Sequence, residues 1–368
     1  MRDQNAQQLL AKVMEWHDQE SVLKYVPTLQ LLADYKYDHY QKFSPGRRFI
    51  ESLALWLNRF DAADRTAALD FVMERLIYVS DAEFSHLVQM AYAEAIVQER
   101  LRLVAEEQDI PPFHVSAISR HPRFTELRLK SLYLGLSDGA RTNELRRASD
   151  GEIGNEQIWH AYELGEEKAE DMVSELRGTL ESAGLGHVTP RFNLIWLLDD
   201  FSGSGNTYIR FDAQTAKYKG KIPKIYELLH RGDLVDTSHY EVFLLLYVVT
   251  RQGIDHIEYW ADRFTAEHGY KPLQLKALSI LERDTAVTHN LTAPIKVLLE
   301  DRRYYDHRAF DKHMRVGGTD DARLGFGACA LPLVLSHNTP NNSVYILWGP
   351  EHLDFVGLFP RISRHREF

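Results

Sequence analysis

The stretches FNLIWLL (residues 192–198) and EVFLLLYVVT (241–250) constrain the fold most. Runs this apolar, without polar alternation, suit strands buried on both faces, and such strands belong to parallel sheets covered by helices. SLYLGL (131–136) and LQLKALSIL (273–281) repeat the pattern more weakly. Amphipathic helical stretches lie between them, within 155–180, near 224–230 and within 253–268. The alternation predicts an α/β fold with a mostly parallel sheet. LGFGACALPLVLS and SVYILWG, joined by the turn-rich HNTPNN, read as two further strands. The charged segment 301–321, with Gly317-Gly318 inside it, reads as an excursion from the fold.

Before Pro111-Pro112 the rhythm is helical. Ser44-Pro45-Gly46 is a start signal, and Phe49, Leu53, Trp56, Leu57 and Phe60 follow on one face. Leu69, Val72, Met73 and Leu76 form a second stripe. Ser80-Asp81-Ala82-Glu83 is a capping box opening a third helix, with Phe84, Leu87, Val88, Ala91 and Ile96 on its face. No repeat period appears. The expected division is therefore an all-helical domain over 1–112 and an α/β domain over 113–368. The formal net charge of −10 disfavours sequence-independent binding to nucleic acid or anionic membranes. No stretch has the length of a membrane span, and the opening MRDQNAQQLLAKVMEW lacks a signal-peptide core, so a cytoplasmic location is expected. Cys329 is the sole cysteine, which excludes an intrachain disulfide and a thiol-rich zinc site; within its apolar run it reads as packing.

The run 192–198 ends in Asp199 and Asp200, followed after Phe201 by Ser202-Gly203-Ser204-Gly205-Asn206-Thr207. In an open α/β sheet ligands bind outside the carboxyl ends of the strands, which is where these residues fall. The two glycines let backbone N–H groups turn toward an anion, the three hydroxyls add donors, and the next helix could add its positive end. Acids beside a phosphate cradle are consistent if the ligand is a ribose phosphate, whose vicinal hydroxyls donate to carboxylates. A P-loop lysine and the third glycine of a dinucleotide fingerprint are both missing. An ordinary strand-to-helix turn capped by an aspartate pair would use the same residues.

LLDDFSGSGNT resembles the signature loop of the phosphoribosyltransferase superfamily. SPGRRFIESLALWL, SDGARTNELRRAS and GFGACALPLVLSHNTPNNSVYILWG extend the resemblance over most of the chain. Together they resemble the phosphoribosyltransferase-like proteins of bacterial conflict systems, including anti-phage operons and some retron loci. The resemblance implies a phosphoribosyltransferase-like α/β fold with an N-terminal helical domain. It also implies a site for 5-phosphoribosyl 1-pyrophosphate (PRPP) or a nucleotide. Asp199 and Asp200 would be the ribose-binding acids of the catalytic centre, and Ser202, Gly203, Ser204, Gly205, Asn206 and Thr207 would wrap the 5′-phosphate. Mg²⁺ would be held mainly through the ligand, with no dedicated protein site. After SLYLGL, Ser137, Asp138, Gly139, Ala140 and Arg141 stand where such enzymes carry a diphosphate loop. The chain departs from working transferases before Phe192: a helical stretch fills the place of a closing loop, which leaves a nucleotide sensor without transfer as an alternative.

His337, Asn338, Asn341 and Asn342 are candidates for a base pocket, because amides present donors and acceptors; a simple turn explains them equally well. Trp348 reads as core or as a stacking platform. Arg141, Arg146 and Arg147 form a basic cluster, and Arg361, Arg364 and Arg366 a basic tail. A protein partner would be met through the helical domain, the third class of function for this chain.

Overall fold

The computed structural model describes residues 3–41, 48–161, 166–231, 233–289 and 292–362. Ser44-Pro45-Gly46, Arg364 and Arg366 lie outside them. The chain divides into two compact units, Met1–Glu83 with Glu282–Phe368, and Phe84–Leu281. Nine strands occur in the described residues: β1 Ile77–Val79, β2 Ser131–Gly135, β3 Ile158–His160, β4 Leu194–Ser202, β5 Arg210–Asp212, β6 Lys217–Lys219, β7 Glu241–Thr250, β8 Leu273–Leu281 and β9 Leu333–Leu335.

In the first unit the predicted helical stripes form helices Phe49–Leu57 and Arg65–Glu74, preceded by Asp3–Val13 and Gln19–Tyr35. Their apolar faces share one core with the C-terminal segment: Leu53, Leu57, Phe60 and Val72 join Val334, Tyr345, Trp348 and Phe359. Polar contacts follow the same joining, with Trp56 Nε1 donating to Ile346 O at 3.0 Å and Tyr40 OH to Pro360 O at 2.9 Å. β1 pairs with β9 in parallel, Tyr78 opposite Val334. This partition differs from the expected division at 112 and 113, and β1 puts a strand in the region read as all-helical. The C-terminal apolar runs cover the N-terminal helices instead of extending the sheet. Of the two strands expected there, LVL is a three-residue strand, while Tyr345–Trp348 is a single helical turn. A short apolar run does not reveal its partner, and three or four residues are too few for a period to show. The Ser80 capping box forms as read, Glu83 accepting from Ser80 N at 2.7 Å and Ser80 Oγ from Glu83 N at 3.2 Å.

Cys329 is buried in this unit, and burial pushes its thiol up to about 12. The folded protein should therefore ignore a thiol reagent at pH 8 and yield one reactive thiol once denatured. Because the folded pKa is raised, the stability this group contributes is complete below the unfolded thiol value of about 8.5 and declines as pH rises toward 12. Rapid labelling of native protein at pH 8 would contradict the buried assignment.

The second unit holds a five-stranded sheet in the order β3-β2-β4-β7-β8, every pair parallel. The runs that read as doubly buried are so. On one face Leu132, Leu134, Ile195, Leu197, Val242, Leu244 and Leu246 pack into a cluster with residues of helices Glu166–Ser182, Lys221–Arg231 and Arg251–His268. On the other face Trp196 stacks on Phe243 with ring centroids 4.3 Å apart, and Lys276 Nζ reaches Glu99 of helix Val97–Glu107 at 2.9 Å. Chain order runs from β2 outward to β3, then back to β4 on the other side. The topological switch therefore lies between β2 and β4, and in open α/β sheets ligands bind at such a point, outside the strands' carboxyl ends.

Candidate functional site

Both acids of the LLDD stretch lie in the last part of β4, which continues through them to Ser202. β2 ends beside them at Gly135, and Leu136 N donates to Leu198 O at 2.9 Å. The segment after β2 then turns over the end of β4. Ser137 Oγ accepts from Gly139 N at 3.1 Å and donates to Asp199 Oδ1. A Cβ on Gly139 would fall 2.3 Å from Asp200 Oδ2, so the turn meets the end of β4 with no room for a side chain unless the Asp200 carboxyl moves. Tyr247 OH of β7 holds this turn from beneath through Ala140 O at 3.0 Å.

The two carboxylates differ sharply. Asp199 is 3% exposed and has every acceptor position engaged. Oδ1 takes Ser137 Oγ and the Asp200 amide, while Oδ2 takes Tyr208 OH at 2.7 Å and Lys221 Nζ at 2.8 Å. Burial raises its carboxyl above the ordinary value, Lys221 opposes that shift, and the charge of Asp200 adds to it. Tyr208 is pushed far up by burial and by Asp199, and so stays a donor. Asp200 is the partly exposed member, with Oδ1 accepting from Phe201 N at 2.9 Å. The pair sits beside the glycine loop at a strand end, as read, but only Asp200 has solvent access.

The loop itself is buried at Gly203, Ser204 and Gly205. Thr250 Oγ1, which caps helix Arg251–His268 through Gly253 N, donates to Gly203 O at 2.5 Å. Gly205 has φ +78° and lies against Gly253 O, which explains the residue type. The backbone N–H groups of Ser204 and Gly205 donate to no group among the described residues. Asn206 N donates to Ser204 Oγ at 3.4 Å, Arg210 Nη1 to Asn206 O at 3.1 Å, and Thr207 is exposed. One expectation fails here. The loop does not lead straight into a helix: the hairpin β5-β6 intervenes, and the first amides of helix Lys221–Arg231 donate to Thr207 O and Tyr208 O. Its positive end is thus occupied by the protein.

Of the remaining candidates, Asp138, Gly139 and Ala140 form a short 3₁₀ turn. Arg141 adopts φ +50°, pairs with Glu144 at 3.1 Å and lies over the Phe84 ring at 4.6 Å, a cation held at the turn by two neighbours. Arg146 and Arg147 occupy the last turn of helix Thr142–Ala148. His337, Asn338, Asn341 and Asn342 belong to the other compact unit. There Asn342 Nδ2 donates to Phe326 O at 3.0 Å, Asn338 Oδ1 accepts from Ile362 N at 3.3 Å, and Asn341 Nδ2 contacts Met314 Sδ at 3.6 Å. These are the contacts of a turn holding its own surroundings, the alternative that the residues allowed. Trp348 is core, its Nε1 donating to Ser343 O at 2.8 Å. Arg361 Nη1 donates to Thr339 O at 3.3 Å.

A model of the PRTase-CE family matches residues 53–361. The chain belongs to that family. This phosphoribosyltransferase-like protein thus carries the fold its sequence implied, an α/β unit on a parallel sheet with helices. No curated protein and no solved structure gives a significant match. Among the described residues no helix is long and apolar enough to cross a membrane, and no group of three or more His, Cys, Asp or Glu could hold a metal ion. Sequence reasoning missed Tyr208, Lys221 and Thr250. Nothing in spacing connects Lys221, 22 residues on, to Asp199; its only signal is a basic residue at a helix start, where acids are favoured.

Proposed function

We propose that the carboxyl-end side of the switch between β2 and β4 binds a ribose 5-phosphate ligand, PRPP or a nucleotide. We also propose that the protein acts as an effector in bacterial anti-phage defence. The observation that carries the binding reading is the buried Ser204-Gly205 loop, whose amides lack internal acceptors, set beside Asp200 and the Ser137–Arg141 turn. Amides of this kind suit a phosphate, and a carboxylate within a sugar's length suits ribose hydroxyls. The defence role is supported by the sequence resemblance alone.

Mg²⁺ fits as a guest of the ligand only. Asp199 has no acceptor position left, so Asp200 would be the carboxylate nearest to an ion carried on a diphosphate. Such an ion would neutralise the charge of that diphosphate. A second reading, binding without transfer, is favoured by the same engagement of Asp199 and by helix Glu166–Ser182 standing where transferases carry a closing loop. The site would then hold the ligand's phosphate without releasing it.

Calorimetry with PRPP, ribose 5-phosphate and nucleoside monophosphates, with and without Mg²⁺, tests the reading. The parent should bind at least one of them, and Asp200→Asn should weaken that binding roughly 10- to 100-fold, the scale of one charge-assisted hydrogen bond. A parent that binds none of these ligands would overturn the assignment. Product analysis after incubation with PRPP separates transfer from binding alone. Protection of a bacterial host against phage, lost on Asp200→Asn, tests the effector role.

A further inference from the structure

We propose that Asp199 does not touch the ligand: it is a positioning residue for Lys221, and the Lys221 ammonium is the cation this site presents to the ligand's phosphate. This rests on the ribose-phosphate reading above and divides the roles of the two acids. A carboxylate that accepts ribose hydroxyls needs free acceptor positions on an accessible face. Asp199 offers neither, being 3% exposed and bonded to Ser137, Tyr208, Lys221 and the Asp200 amide.

Lys221 has the complementary character. Its side chain is 29% exposed, and Asp199 is the only group among the described residues to which its ammonium donates. An ammonium carries three donors, so two remain for a ligand. Its Nζ lies 5.2 Å from the Tyr208 ring centroid, and its backbone N donates to Thr207 O, which fixes it beside the end of the glycine loop. A lysine held at one end by a buried carboxylate loses less side-chain freedom on meeting an anion than a solvated one would. Arg210 is another cation near the loop, and its Nη1 donates to Asn206 O at 3.1 Å. The pattern assigns phosphate to Lys221 with the loop amides, and hydroxyls to Asp200.

The test measures affinity for three probes, ribose 5-phosphate, 2-deoxyribose 5-phosphate and inorganic phosphate, by calorimetry on the full chain. K221M is expected to lose roughly 10- to 100-fold for all three, with the ribose preference over deoxyribose unchanged. K221R should retain most of the affinity. D199N should lose phosphate affinity like K221M, and the double variant should lose no more than either alone, because both changes remove one device. D200N should instead erase the preference for ribose. If K221M fails to fold, K221Q keeps a donor toward Asp199 without the charge and carries the same expectation. K221M or K221Q binding ribose 5-phosphate as tightly as the parent overturns the proposal. So does a D199N that loses ribose preference while holding inorganic phosphate unchanged. A parent that binds none of the three probes removes the ribose-phosphate reading itself, a different failure from the first two.

Discussion

Replacing Asp199 by alanine should destabilise the α/β unit by about 3 kcal/mol, the largest effect expected of any single change at the site. Removing one member of a buried ion pair costs about 3–5 kcal/mol, because the partner keeps its charge and loses its compensation. Lys221 is 29% exposed and can turn to water, which lowers its share. Tyr208 cannot: it is 3% exposed, and without Asp199 its hydroxyl keeps only Phe201 O at 3.2 Å. Ser137 Oγ loses its acceptor as well, which loosens the turn over β4. The Asp199→Ala, Lys221→Met double variant should recover part of the loss, since removing both charges leaves neither uncompensated. Denaturant unfolding followed by circular dichroism gives the measurement. A midpoint equal to the parent's at unchanged slope would show that the Asp199 contacts contribute nothing. The outcome matters for function: a carboxylate that can be removed freely is one the fold left available to a ligand.

This result would run against what the sequence alone suggests. Two adjacent acids after an apolar run look like an exposed strand end, and an exposed pair should tolerate replacement. The strand continues through both, and alternation along it sends neighbouring side chains to opposite faces. One acid therefore turns inward and the other stays partly exposed. From the residues alone the strand ends at 198 and both acids take one role, and the hydroxyl and the amine that meet Asp199 are hidden too, because Ser137 and Lys221 lie 62 and 22 positions away. The sheet was legible for the opposite reason. Leu194–Leu198 and Val242–Val249 are apolar on both faces, a pattern few other contexts permit. The C-terminal runs were ambiguous by comparison. Leu333–Leu335 and Tyr345–Trp348 are equally apolar, yet the first is a strand paired with β1 and the second a helical turn, both packed in a core with helices of the first 83 residues, and no local pattern records partners that distant.

Gly139→Ala should behave as a ligand-binding variant that leaves the fold standing. An added Cβ would lie 2.3 Å from Asp200 Oδ2 and 2.6 Å from its Cγ, well inside contact distance, so the carboxyl must swing away. The position does not require a left-handed backbone, which limits the cost to overpacking at a partly exposed side chain, about 1 kcal/mol. Displacing a recognition group by an ångström or so removes most of what it contributes. Affinity for ribose 5-phosphate should therefore fall by roughly tenfold or more, to near that of Asp200→Asn. Combining the two changes should add little, because the alanine acts only by moving the carboxylate that the asparagine neutralises. Inorganic phosphate should bind as it does to the parent, since the Ser204 and Gly205 amides and Lys221 are untouched. A Gly139→Ala protein that keeps full affinity for ribose 5-phosphate would mean that the carboxylate of Asp200 is not where the sugar hydroxyls bind. One that loses inorganic phosphate to the same degree would shift the role of Gly139 to the shape of the diphosphate turn.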